Sequence, residues 1–323
     1  MDVVLPGFPD TPSRGARAGR LLLVCAITLA FGYFTFISAR PDYVTTDYEY
    51  LWRAARLWSS GVDPYAVKPR AAWLHLWPLF DPLFYPLPAV LFVGVFAGWT
   101  LAISQVIFVS VASALLAWRL TRQALWPLLI FLTPSFWMAA FLGQWSPWLT
   151  LAALTPSAGF LLVCKPTIGL ACFSYRPTWR AFFSGAIIMA ISLALMPSWP
   201  WEWRSNLEWV QRHPPALLTP GGFVLALAVL RWKQREARLL LAMACVPQLL
   251  FFADQLPLFL VARTKREALL FTATGVVVGA IWVSRHFMRY AAVQLSGSYV
   301  MLACYLPALW IVLRRPNVAS EGL

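Results

Sequence analysis

Residues 21–39 read L-L-L-V-C-A-I-T-L-A-F-G-Y-F-T-F-I-S-A, an apolar run without a charge, preceded by Arg14, Arg17 and Arg20. As a helix this run is long enough to cross the hydrocarbon of a bilayer, which takes ~17–25 residues. Small residues at Ser38-Ala39 would suit a leader cleavage site. The run is long for a leader's apolar core, however, and reads as an uncleaved first helix. Comparable runs recur at 84–98, 100–118, 124–142, 159–175, 181–197, 216–230, 239–260, 268–284 and 291–313. In hydrocarbon each backbone N–H and C=O must be bonded internally, so spanning segments of this kind are helices. The chain is 60% hydrophobic with a mean hydropathy of +0.66 and only 12% charged residues, outside the soluble range. The expectation is an all-α, polytopic integral membrane protein with about ten to twelve transmembrane helices. The stretches 143–165 and 247–262 read as half-crossings or re-entrant segments.

The net charge of +13 is distributed in small clusters beside the apolar runs. These are Arg14, Arg17 and Arg20; Arg119 and Arg122; Arg176 and Arg180; Arg231, Lys233, Arg235 and Arg238; Arg263, Lys265 and Arg266; and Arg314 and Arg315. That is the pattern of cytoplasmic membrane flanks, not of a nucleic-acid surface. It predicts a multi-pass plasma (inner) membrane protein with a cytoplasmic tail over 1–20, one membrane domain over 21–313 and a second tail over 314–323. The loop over 40–83 then lies on the external (periplasmic) side, and it carries Asp42, Asp47, Glu49, Asp63 and Asp81. The five cysteines all sit in apolar segments without a C-x-x-C pair, and read as packing residues.

Within that loop, residues 46–65 read T-D-Y-E-Y-L-W-R-A-A-R-L-W-S-S-G-V-D-P-Y. On a helix over 48–60, Leu51, Ala54, Ala55 and Trp58 share one face, while Glu49, Arg53, Arg56 and Ser60 share the other. Such a helix suits an interface, with the Trp58 face among lipid headgroups. Asp47 falls at its N-terminus, where it either caps the helix or is free for other chemistry. Gly61 ends the helix, and Asp63-Pro64-Tyr65 forms the turn after it.

This stretch resembles the first-loop signature of glycosyltransferase family 87, within the GT-C superfamily of membrane enzymes that use polyprenyl-phosphate sugars. Thr46, Asp47, Tyr48, Trp52, Ala54, Ala55, Gly61, Asp63, Pro64 and Tyr65 match that pattern, while Leu51 stands where a tyrosine is common. The family also carries a glycine-glutamine element and a later Lys-Pro, here Gly143-Gln144 and Lys165-Pro166, closer together than in the family. The resemblance implies a GT-C-like fold and transfer of a hexose, mannose first among candidates, from a polyprenyl-phosphate donor to a lipid or glycan hydroxyl outside the membrane. Asp47 would be the catalytic base, with inversion at the anomeric carbon.

The residues themselves add candidates. A lysine inside an apolar run costs ~2.5–3.5 kcal/mol near the bilayer centre, so Lys165 either snorkels to an interface or faces a cavity and holds a phosphate. Gln144 serves the same site or bonds between helices. Asp254, after Pro247, is a further acid interrupting an apolar run, readable equally as a loop residue. Tyr48, Trp52 and Tyr65 are candidates for stacking on sugar rings, and Arg70 and His75, with Lys68, for phosphate contacts. No Walker loop, dinucleotide fingerprint or H-E-x-x-H is present, so no cofactor is called for. Asp47 and Glu49 leave room for a divalent cation. The alternative class is a transporter or flippase of lipid-linked or small polar solutes, which would also use many helices and a buried lysine.

Overall fold

Prolines decide how the apolar runs are divided. Pro127, Pro134, Pro147, Pro156 and Pro166 each stand in the first turn of a short helical piece, the position a proline tolerates because its N–H is not needed there. The expected runs at 124–142 and 159–175 are therefore broken. With the stretch 143–165 between them they form α5 (Pro134–Leu142), α6 (Ser146–Leu154) and α7 (Pro166–Tyr175), interleaved with 3-10 segments at Trp126–Leu132 and Pro156–Cys164. The stretch 247–262 is broken likewise, into 3-10 turns at Phe252–Asp254 and Leu256–Val261.

The computed structural model describes residues 14–38, 46–66, 82–122, 124–208, 213–286 and 294–316, and among them it is all-helical, without a β-sheet. The first four helices are α1 (Arg14–Ser38), α2 (Asp47–Ser59), α3 (Leu87–Gly94) and α4 (Leu101–Leu120). After α7 come α8 (Trp179–Leu195), α9 (Trp199–Leu207), α10 (Arg235–Cys245), α11 (Lys265–His286) and α12 (Gly297–Arg314), the last with a π turn at Met301–Tyr305. Four described helices are long and apolar enough to cross a membrane: α1 from Arg17, α4, α11 and α12. The pair α8 and α9, bent by 98°, makes a fifth if counted as one span. The other apolar runs among the expected ten to twelve are not single helices of spanning length, several being divided at prolines into half-length pieces. The tryptophan-rich residues 199–203 belong to α9, with Trp199 buried.

α1 and α4 lie antiparallel. Arg20 donates through Nε to Thr121 Oγ1 at 2.9 Å and stacks on Trp118, while Gly32 lies against Ser110 farther along. Tyr48 and Thr46 meet the opposite end of α4 at Ser104 and Gln105. The 16 to 17 residues from Ser104 and Gln105 to Thr121 rise about 25 Å, so α2 and Arg20 stand close to a hydrocarbon core's thickness apart.

The basic clusters gather at the Arg20 end. Arg119 donates to Leu154 O at 3.2 Å and lies beside Arg122 and Arg176. Arg238 donates to Ser174 O, and Arg231 to Arg315 O at 2.8 Å. Glu236, fully buried on α10, accepts from Arg263 Nε at 2.8 Å and from Arg235 at 3.0 Å. Burial opposes its ionisation, but the bonds and charge from Arg263 and the charge of Arg235 outweigh that and hold the carboxyl below its usual range. Glu267 accepts from Arg315 at 2.7 Å and forms a capping box with Thr264 at the start of α11.

α2 has the expected faces. Leu51, Ala54 and Ala55 are buried and Trp58 is half-buried, while Arg53 bonds Glu49 at 2.9 Å across the outer face. The apolar face packs on α3 and α4 and not among lipid headgroups. Gly61, at φ +78°, closes a Schellman ending, with Val62 N donating to Leu57 O at 3.0 Å. Asp63 then accepts from Tyr65 N at 2.8 Å in a turn that sends Tyr65 into the core.

Gly143 at φ +65° is more constrained than Gly61, because a Cβ there would sit 2.6 Å from Tyr48 Cβ, whereas nothing stands within 4 Å of one at Gly61. Gly61→Ala is expected to cost about 1 kcal/mol for the left-handed backbone alone. Gly143→Ala should cost distinctly more, as a larger drop in the melting temperature of the detergent-solubilised protein. Equal losses at the two positions would remove the Tyr48 contact from this account.

Candidate functional site

Thr46, not Asp47, caps α2: its Oγ1 accepts from Glu49 N at 3.3 Å and donates to Gln105 Oε1 at 3.1 Å. Asp47 is thereby free of capping duty at the first helical position. No described residue donates a hydrogen bond to its carboxylate. Burial pushes that carboxyl up to about 6, with nearby Lys165 opposing the rise and nearby Asp254 adding to it. Tyr85 joins the same neighbourhood. Burial, then the charges of Asp47 and Asp254 and the proximity of Tyr50, push its phenol well above its ordinary range.

The packing that assembles this group starts from the α2 motif. Tyr48 is buried, its hydroxyl 2.6 Å from Ser104 Oγ and its ring on Phe108, and its Cβ fills the space left by Gly143. Gly143 ends α5 in the left-handed region, with Gln144 N donating back to Ala139 O at 2.8 Å. Gln144 is thus aimed inward, and its Oε1 accepts from Lys165 Nζ at 3.0 Å. The same Nζ donates to Asp254 Oδ1 at 2.6 Å.

Lys165 stands where the 3-10 segment Pro156–Cys164 gives way to α7, its extended backbone fixed by Pro166 at the helix start. Asp254 ends a 3-10 turn held from both sides. Ser146 Oγ donates to Ala253 O, and Gln255 donates to Gln248 Oε1 at 3.1 Å, with Gln248 in turn on Tyr305. Lys165 and Asp254 keep only 17% and 14% of their side-chain surface, so the pair is neither a surface bridge nor wholly dry.

Of the residues singled out in the sequence, Asp47, Lys165 and Gln144 come together, joined by Asp254. Tyr48 and Tyr65 hold scaffold positions in place of the expected ring stacking, since both are buried and Tyr65 donates to Tyr85 O at 2.9 Å. Trp52 is half-buried with its indole N–H on Trp99 O at 3.1 Å, outside the Lys165 group. Arg70 and His75, like Lys68, lie outside the described residues. Tyr85 was missed. Its sequence signal, an aromatic between Pro82 and Pro86, is that of an ordinary membrane-interface residue.

A cavity of about 570 Å³ lies between α7 and α8, lined by Pro86, Leu162, Val163, Pro166, Phe173 and Phe182, and none of Asp47, Gln144, Lys165 and Asp254 lines it. Two of its lining residues, Pro86 and Pro166, directly follow Tyr85 and Lys165 in sequence; its wall is apolar. Among the described residues no three His, Cys, Asp or Glu side chains stand together as a metal-binding set. The chain matches no family model, no curated protein and no solved structure.

The ion pair makes a specific expectation. Lys165→Met leaves Asp254 as an unpaired, mostly buried charge, and Asp254→Asn does the reverse to Lys165, so each single change destabilises. The double variant should melt higher than the sum of the two losses allows, with a coupling of roughly 0.5–3 kcal/mol. Additive losses would show that the pair does not form.

Proposed function

We propose that the protein is a membrane glycosyltransferase that moves a hexose from a polyprenyl-phosphate sugar to a hydroxyl of a lipid or glycan acceptor, with inversion, on the side of the membrane opposite the basic clusters. That side is external, the basic end cytoplasmic. The observation that carries the reading is the meeting of Asp47, an acid at the membrane rim with no cap to make, and the Lys165 ammonium in one partly desolvated site.

In this reading the acceptor hydroxyl attacks the anomeric carbon and gives its proton to Asp47, and the bond from that carbon to the phosphate oxygen breaks. The electron pair leaves on the lipid phosphate, where Lys165 offsets the charge. A carboxyl that titrates near 6 is a stronger base than an ordinary aspartate yet ionised at neutral pH. Asp254 fixes the ammonium, and Gln144 holds it from the other side. The apolar cavity beside Pro86 and Pro166 offers the donor's hydrocarbon chain a lining of matching chemistry. A transporter of polar or lipid-linked solutes is the second reading, favoured by the buried ion pair and the helices broken within apolar runs.

Purified protein given a labelled polyprenyl-phosphate mannose and an acceptor extract should form labelled product. Its rate should rise with pH through about 6 and then level, because the base acts only when ionised. Asp47→Asn should lower that rate roughly 10²–10⁴-fold. A raised folded-state value means that ionised Asp47 costs stability at neutral pH, so the same variant should melt no lower than wild type there. Any gain, at most about 3 kcal/mol, should vanish below the ordinary carboxylate range. Lys165→Met should weaken donor binding. Wild-type turnover by Asp47→Asn would remove Asp47 as the base, and solute uptake into sealed vesicles without transfer would replace the enzyme with the transporter.

A further inference from the structure

The two halves of the basic end differ. Arg235, Arg263 and Arg315 have internal counterions in Glu236 and Glu267. Arg20, Arg119, Arg122 and Arg176 have none: among the described residues no carboxylate pairs with any of the four. Instead they neighbour one another, Arg122 beside both Arg20 and Arg119, and Arg176 beside Arg119. Their own hydrogen bonds are spent on neutral groups, Arg20 on Thr121 and Arg119 on the Leu154 carbonyl. Arg20 and Arg122 also lie by the Trp118 ring, at 3.9 and 5.9 Å from its centroid.

Arg20 and Arg119 are half-buried and Arg122 and Arg176 exposed, and gathering these like charges without a counterion is unfavourable unless an anion arrives from outside. The surface next to Arg176 shows which kind. A cavity of about 460 Å³ is lined by Phe173, Pro177, Thr178, Trp179 and Phe182, and Trp179 and Phe182 are exposed well beyond what water favours. A free inorganic anion has no use for that wall. A molecule with a negative head and a hydrocarbon body matches both parts.

We propose that Arg119, Arg122 and Arg176 form a binding site for the phosphodiester headgroup of an anionic glycerophospholipid, with an acyl chain lying along Trp179 and Phe182. Trp118 sits at headgroup level beside the cations, a common place for an indole. The site is at the opposite end of α4 from Asp47 and is independent of the catalytic reading. Its role is to supply from the bilayer the counterions that the protein lacks on this half.

The test uses the full-length protein in a neutral detergent, with its thermal melting followed as phosphatidylglycerol, phosphatidylcholine or inorganic phosphate is added. Phosphatidylglycerol should stabilise at far lower concentration than phosphatidylcholine, and inorganic phosphate should not reproduce the effect. The triple variant Arg119→Gln, Arg122→Gln, Arg176→Gln should bind phosphatidylglycerol roughly 100-fold more weakly, at about fivefold for each basic residue at a membrane surface. Removing equal charge elsewhere, in Lys233→Gln, Lys265→Gln, Arg314→Gln, should leave binding within a few-fold of wild type. If the triple variant does not fold, exposed Arg176→Gln alone should still weaken binding about fivefold. Equal stabilisation by the two lipids, equal loss in the control variant, or full stabilisation by inorganic phosphate would each overturn the site.

Discussion

Everything near the candidate site depends on one ammonium group that cannot be left alone in apolar surroundings. Lys165 lies between helical pieces made almost wholly of apolar residues, and its charge has to be met by Gln144 at 3.0 Å and Asp254 at 2.6 Å. Lys165 and its two partners come from three segments that proline and glycine have already broken: the start of α7, the end of α5 and the turn at Phe252–Asp254. A continuous helix through any of them would carry its polar residue past the meeting point. The breaks therefore belong to the construction of the site as much as to the fold.

The second constraint is separation of charge along α4. One end carries the arginines, the other the acid Asp47 with α2 docked over it. With about 25 Å between them, the arrangement approaches the thickness of a hydrocarbon slab with a basic face and a separate face that carries the candidate site. Gly61, Asp63 and Tyr65, all part of the motif, serve to end α2 and return the chain into the core. Their effect on Asp47 is indirect: they fix the helix whose first residue it is.

The residues reveal part of this and conceal part. The helical class, the two faces of α2, its glycine stop and the pairing of Glu49 with Arg53 follow from local spacing, which backbone geometry reads directly. The number of spans does not, because hydropathy sums over a window while a single proline such as Pro147 or Pro156 divides it. The docking of α2 on α3 was hidden for a related reason: an apolar stripe looks the same whether it meets lipid or protein. Lys165 and Gln144 stood out as polar groups in apolar runs, but their union with Asp254, 89 residues beyond Lys165, is a tertiary fact. Tyr48 and Tyr65 show the reverse error, since an aromatic beside a candidate base can as well be the packing that holds it.

The central claim is that Asp47 and Lys165 share one site, and the most direct measurement of it needs no substrate. With carboxyl-labelled aspartate, the Asp47 resonance can be followed through a pH titration in wild type and in Lys165→Met, and assigned by its absence in Asp47→Asn. Lys165 favours the ionised acid and Asp254 opposes it, so wild type should titrate near 6 and the Lys165→Met protein clearly higher. An Asp47 that titrates in the ordinary carboxylate range, unmoved by the loss of Lys165, would contradict the account.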